Sequence, residues 1–119
     1  MKVTISGKSP RPPSSNGKNR EGINVPDAPG EIHLKLENLQ PIGSFKLRGA
    51  GNAMRLADRD ALARGVYTAS AGNMAQGVAW SAREMGVPCT AIVPDRAPKT
   101  KLDAIARLGA AIIKVPPET

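Results

Sequence analysis

The sequence predicts an α/β fold: a parallel sheet with helices on both faces, three layers in all. Three observations predict it. A helix-like segment, a glycine and a strand-like segment follow one another three times in residues 31–119. The strand-like segments are short and mostly apolar, as strands covered on both faces are. The helix-like segments carry apolar residues three and four positions apart: Met74, Val78, Ala82 and Met85 in one, Leu102, Ile105 and Leu108 in the next.

Taken in order, residues 6–30 are rich in Pro, Gly, Ser and Asn and poor in large apolar side chains. Such a stretch buries too little surface to offset its ordering entropy. Residues 1–30 therefore read as a flexible basic leader, and residues 31–119 as the folded part. Ile32-His33-Leu34-Lys35-Leu36-Glu37 alternates apolar and polar, the period of a half-buried strand. Asn38 to Gly43 is turn chemistry, with Asn, Pro and Gly. Ser44 then suits an N-cap, and residues 45–57 favour helix. Gly49 and Gly51 weaken that helix and leave room for another backbone or a ligand. Gly65, Gly86 and Gly109 each precede a strand segment, at 66–70, 89–93 and 110–115. Glycine just past a helix fits the left-handed C′ position. Helices are expected over 73–85 and 99–108. The architecture repeats; the sequences of the units do not.

Composition narrows the function classes. The chain has 119 residues, one domain's worth, and 40% of them are hydrophobic, enough for a globular core. Phe45, Tyr67 and Trp80 are the whole aromatic set, which argues against a nucleic-acid binder built on stacked aromatics. Cys89 and His33 are the only residues of their types, so no disulfide framework, zinc site or His-rich metal centre is expected. No apolar run approaches the ~20 residues of a membrane span, and no signal-peptide core is present, which predicts a cytoplasmic protein. The net charge is +7, and Lys2, Lys8, Arg11, Lys18 and Arg20 place most of it in the leader. A solvated tail explains it better than a nucleic-acid partner does.

Two segments could carry chemistry. Pro41-Ile42-Gly43-Ser44-Phe45-Lys46-Leu47-Arg48-Gly49-Ala50 places a lysine in the first turn of a helix. The helix dipole opposes a positive charge there, and burial beside Phe45 would act the same way. A lysine that gives up its proton forms Schiff bases with carbonyls. Taken alone, Lys46 also reads as an ordinary surface lysine. Ser70-Ala71-Gly72-Asn73-Met74-Ala75-Gln76-Gly77 places small residues between a strand end and a helix start. Backbone N–H groups exposed there suit a carboxylate or phosphate. Taken alone, it also reads as an ordinary capped turn.

In this order, about two dozen residues apart, the pair resembles the motifs of pyridoxal-phosphate enzymes of the tryptophan synthase β type, fold type II. Within that group it is most similar to the serine/threonine dehydratases. The resemblance covers roughly residues 31–115, including the lead-in Leu34-Lys35-Leu36-Glu37-Asn38-Leu39-Gln40-Pro41. It implies the start of the large domain and most of the small domain of such an enzyme. It implies pyridoxal 5'-phosphate as cofactor, a small amino acid as substrate, and a homo-oligomer for the full-length family. Lys46 then matches the lysine that holds the cofactor and takes the substrate α-proton. Phe45 matches the residue packed beside the cofactor. Ser70, Ala71, Gly72 and Asn73 match the loop that grips the substrate carboxylate, with Gln76 in support. Asn73 also matches the residue that bonds the cofactor's phenolic oxygen.

The departures sort the subclass. Leu47 stands where sulfhydrylases and threonine synthases usually carry Asp, and Ala71 where racemases of the group carry a proton-bearing serine. Met74 replaces a common histidine. These positions favour one-sided α-proton removal and loss of a β-hydroxyl, which is ammonia-lyase chemistry. The family's tetraglycine phosphate loop has no counterpart, since the 12 glycines form no run. The chain is therefore expected to be an N-terminal portion, inactive alone. A non-catalytic α/β module binding a small amino acid is the alternative in another class. A serine racemase or threonine synthase relative is a further one.

Overall fold

The computed structural model describes residues 3–5 and 32–116. The chain divides into two units, Met1–Leu36 and Glu37–Thr119. In the first, β1 (Val3–Ile5) pairs antiparallel with β2 (Ile32–Leu34), Val3 opposite Leu34 and Ile5 opposite Ile32. The alternation from Ile32 thus does make a strand, but a shorter one. Its partner comes from the segment read as leader. The rest of that leader, residues 1–2 and 6–30, lies outside the described residues.

The second unit opens with a 3-10 turn (Glu37–Leu39) and then α1 (Lys46–Leu56), one residue shorter at each end than expected. Phe45, not Ser44, occupies the cap position, with φ −64° and ψ −16°. The Ser44 hydroxyl still accepts the Lys46 N–H at 3.3 Å, satisfying one of the helix's orphan donors. A short helix missed in the sequence, α2 (Arg59–Ala63), follows; Asp58 caps it by accepting the Ala61 N–H at 2.8 Å.

Then come β3 (Val66–Ala69), α3 (Asn73–Met85), β4 (Cys89–Pro94), α4 (Lys99–Arg107) and β5 (Ala111–Val115). The strands form one parallel sheet in the order β3-β4-β5. Gly65, Gly86 and Gly109 all have positive φ, as the helix-ending glycines predict.

Cys89, Ala91 and Val93 point to one face of β4 and are buried with Ala75, Ala79 and Ala82 of α3 and Leu102 and Ile105 of α4. Burial raises the energy of the Cys89 thiolate and pushes its pKa up. The other face is bare among the described residues: Tyr67 is 79% exposed and Ile113 52%. The parallel three-strand sheet is the one expected, and the described residues cover one of its faces. Strands in consecutive order joined by crossovers of one hand send both connecting helices to the same side. The described residues thus supply the sheet and the layer on one side of it. No helix among them is long and apolar enough to cross a membrane.

Candidate functional site

The turn before α1 aims the lysine. Gly43 has φ +65°, a conformation that L side chains rarely adopt, and its N–H donates to the Gln40 carbonyl at 2.7 Å. Ser44 is buried behind this turn, and Lys46 follows as the first residue of α1. Its Nζ lies 5.0 Å from the centroid of the Phe45 ring, within cation–π range. Phe45 itself is 58% exposed. Lys46 is half-buried, and the exposed ring is a face for the ammonium rather than a wall around it. No carboxylate among the described residues pairs with Lys46.

Arg48, two residues on, holds the turn to the helix. Its Nε donates to both Glu37 carboxylate oxygens, at 2.9 and 3.1 Å, and Gln40 Nε2 donates to the same carboxylate at 3.1 Å.

The second segment folds at the carboxyl end of β3. The Ser70 hydroxyl accepts the Gly72 N–H at 3.2 Å, and the Gly72 carbonyl accepts the Gln76 N–H at 3.2 Å, the first turn of α3. No side chain caps α3. The helix therefore opens on backbone donors unused by its own ladder. Ala71 and Gly72 are half-buried and Asn73 is exposed. Neither Asn73 nor Gln76 makes a side-chain hydrogen bond to another described residue.

What brings the two segments together is Gly77, to which the sequence reading gave no role. A Cβ on Gly77 would stand 3.3 Å from the carbonyl carbon and oxygen of Lys46 and 3.4 Å from the Ala50 Cβ. One turn on, a Cβ on Gly51 would stand 3.5 Å from the Ser81 hydroxyl. The contacts advance together along both helices, so α1 and α3 run parallel with their N-termini at one end. Lys46 thus packs one turn from Asn73. Of the glycines read as leaving room in α1, Gly51 meets Ser81 and Gly49 meets nothing within 4 Å.

The family model for the pyridoxal-phosphate dependent enzymes matches residues 22–119. The chain belongs to the pyridoxal-phosphate dependent enzymes. Among relatives in this family, it is 54% identical to the biosynthetic L-threonine dehydratase IlvA of Burkholderia multivorans, over 71% of this chain and 17% of that one. It is 44% identical to a serine racemase of Dictyostelium discoideum, over 71% of this chain and 26% of that one. The processed form of threonine deaminase isoform 2 from Solanum lycopersicum superposes with a TM-score of 0.69 at 40% identity, over 72% of this chain and 24% of that one. The chain thus spans about a quarter or less of these pyridoxal-phosphate enzymes.

The residues present fit the cofactor of this family. Pyridoxal phosphate needs an amine that can condense with its aldehyde. Lys46 offers one, unpaired with any described carboxylate and beside an exposed aromatic face.

Proposed function

We propose that the chain forms the lysine-bearing part of an ammonia-lyase that converts a β-hydroxy amino acid such as serine or threonine to a 2-oxo acid and ammonia. The observation that carries this reading is the packing of Lys46 on Gly77, one turn from Asn73. It supports a single site shared by the lysine and the small-residue loop.

In this reading Lys46 holds pyridoxal phosphate through Nζ, with Phe45 and Asn73 beside it. The bound cofactor supplies an electron sink for the charge left on the substrate α-carbon. The N–H groups opening α3 hold the substrate carboxylate, in the turn that Ser70, Ala71 and Gly72 form and Gln76 closes. Lys46 Nζ, released when the substrate amine takes its place, would take the α-proton. The α-proton and the β-hydroxyl together are lost as water, and the enamine released would be hydrolysed by a second water to the 2-oxo acid and ammonia. Ala71 supports a lyase over a racemase, because its methyl carries no proton to deliver to the opposite face of the α-carbon.

Cofactor capture tests the reading at the lysine itself. The full chain is incubated with pyridoxal phosphate, reduced with borohydride and mapped by peptide mass. A single label on Lys46, absent in Lys46→Ala, is expected. Labels spread over Lys35, Lys99, Lys101 and Lys114 would overturn it.

A further inference from the structure

Gly77 sits in the second turn of α3, among Ala75, Ala79 and Ala82. A glycine inside a helix costs about 1 kcal/mol relative to alanine. Helix propensity therefore does not account for it, and its surroundings do. A methyl at this position would meet the Lys46 carbonyl carbon and oxygen at 3.3 Å and the Ala50 methyl at 3.4 Å. The first two are backbone atoms and cannot swing aside as a side-chain tip would. The contrast within the same pair of helices is sharp. A methyl at Gly51 would make an ordinary contact with Ser81, at 3.5 Å, and one at Gly49 would meet nothing within 4 Å. Of these three glycines, only the one against the lysine's own backbone is held by close approach.

We propose that Gly77 is a positioning residue for Lys46: by admitting the Lys46 carbonyl against α3, it sets the place of the lysine relative to the Ser70–Asn73 loop. This rests on the reading of Lys46 as the cofactor lysine. A Cβ at Gly77 displaces the first turn of α1 from α3 by a few tenths of an ångström. It moves the root of the lysine side chain while leaving the loop, on the other side of the turn, where it is. Small misplacements of a reacting group carry large rate penalties.

The test uses the full chain and four forms: wild type, Gly77→Ala, Gly51→Ala, and Gly77→Ala combined with Ala50→Gly. Each is incubated with pyridoxal phosphate and reduced with borohydride. The rate of labelling at Lys46 is read against that at Lys101, an exposed lysine of α4, in the same sample. Thermal melts are recorded alongside. Gly77→Ala is expected to slow Lys46 labelling about tenfold with no change at Lys101. Gly51→Ala is expected to leave both rates unchanged. The double variant removes the methyl–methyl contact but keeps the contact with the Lys46 carbonyl. It is expected to recover part of the melting temperature and none of the Lys46 rate. Wild-type labelling by Gly77→Ala, or full recovery of the Lys46 rate in the double variant, would overturn the proposal and leave Gly77 a packing residue. Loss of a cooperative melt in both forms carrying Gly77→Ala would overturn it too, since the proposal requires the methyl to be accommodated by a small shift. Failure of the wild type to label selectively at Lys46 would instead sink the cofactor-lysine reading itself.

Discussion

Arg48 and Glu37, eleven residues apart in the chain, are joined by two hydrogen bonds from one nitrogen, Nε to Oε1 at 2.9 Å and to Oε2 at 3.1 Å. The pair ties the first turn of α1 to the 3-10 turn that precedes it, and so closes the loop that delivers Lys46.

Half of the Arg48 side chain is in solvent, so the pair is worth little more than an exposed bridge. Glu37→Gln is expected to lower stability by about 1 kcal/mol in urea titration. The loss should shrink as salt is raised, because exposed charges are screened.

Among the described residues, Ile105 is the largest side chain fully out of solvent, followed by Val93. Truncation there leaves a cavity between α4 and the sheet. Ile105→Ala is expected to cost about 2–5 kcal/mol, and Ile105→Val about 1 kcal/mol. Both are read from urea midpoints at unchanged slope.

Gly65 has φ +106°, and a Cβ there would lie 3.2 Å from the Pro88 carbonyl oxygen. That same oxygen accepts the Val66 N–H at 2.8 Å, the bond that starts the β3–β4 register. Gly65→Ala therefore combines backbone strain with a clash at a hydrogen-bonded oxygen. It is expected to cost about 1–3 kcal/mol, measured by thermal melt.

Burial pushes the Cys89 thiol up from its ordinary range, so the folded chain holds that proton more tightly than the unfolded chain does. The stability this contributes is complete at neutral pH. It is lost as pH rises above the ordinary thiol range and through the raised value. Cys89→Ala is expected to remove that alkaline slope. In the native chain at neutral pH the thiol should react with a disulfide reagent only at the rate of opening, and quickly once urea is added.

Much of the second unit was legible because two simple signals coincide. In α3, the apolar period of Met74, Val78, Ala82 and Met85 ends at Gly86, which has φ +66°, and the helix runs Asn73–Met85 as expected. β4 and β5 differ from expectation by one residue each. Other features were hidden for identifiable reasons. α2 is only five residues, too short for a period, though Asp58 was a readable cap. The pairing of Val3–Ile5 with Ile32–Leu34 joins residues far apart in sequence, and no local pattern encodes such a partner. The apolar run 89–93 tells how much a strand can bury. It does not tell which face its neighbours cover; the crossovers decide that. At the candidate site, the two segments stand out by residue type. Their contact does not, because Gly77 reads only as a weak point in a helix until the Lys46 backbone is seen against it.

The layer between α3 and β4 is built from Ala75, Ala79, Ala82 and Ala91, all at most 1% exposed. A methyl has no rotamers. A longer side chain absorbs a displaced neighbour by switching torsions; these four methyls have none to switch. α3 is therefore held firmly to the sheet, and crowding at the lysine-bearing end of the helix pair is relieved on the side of α1.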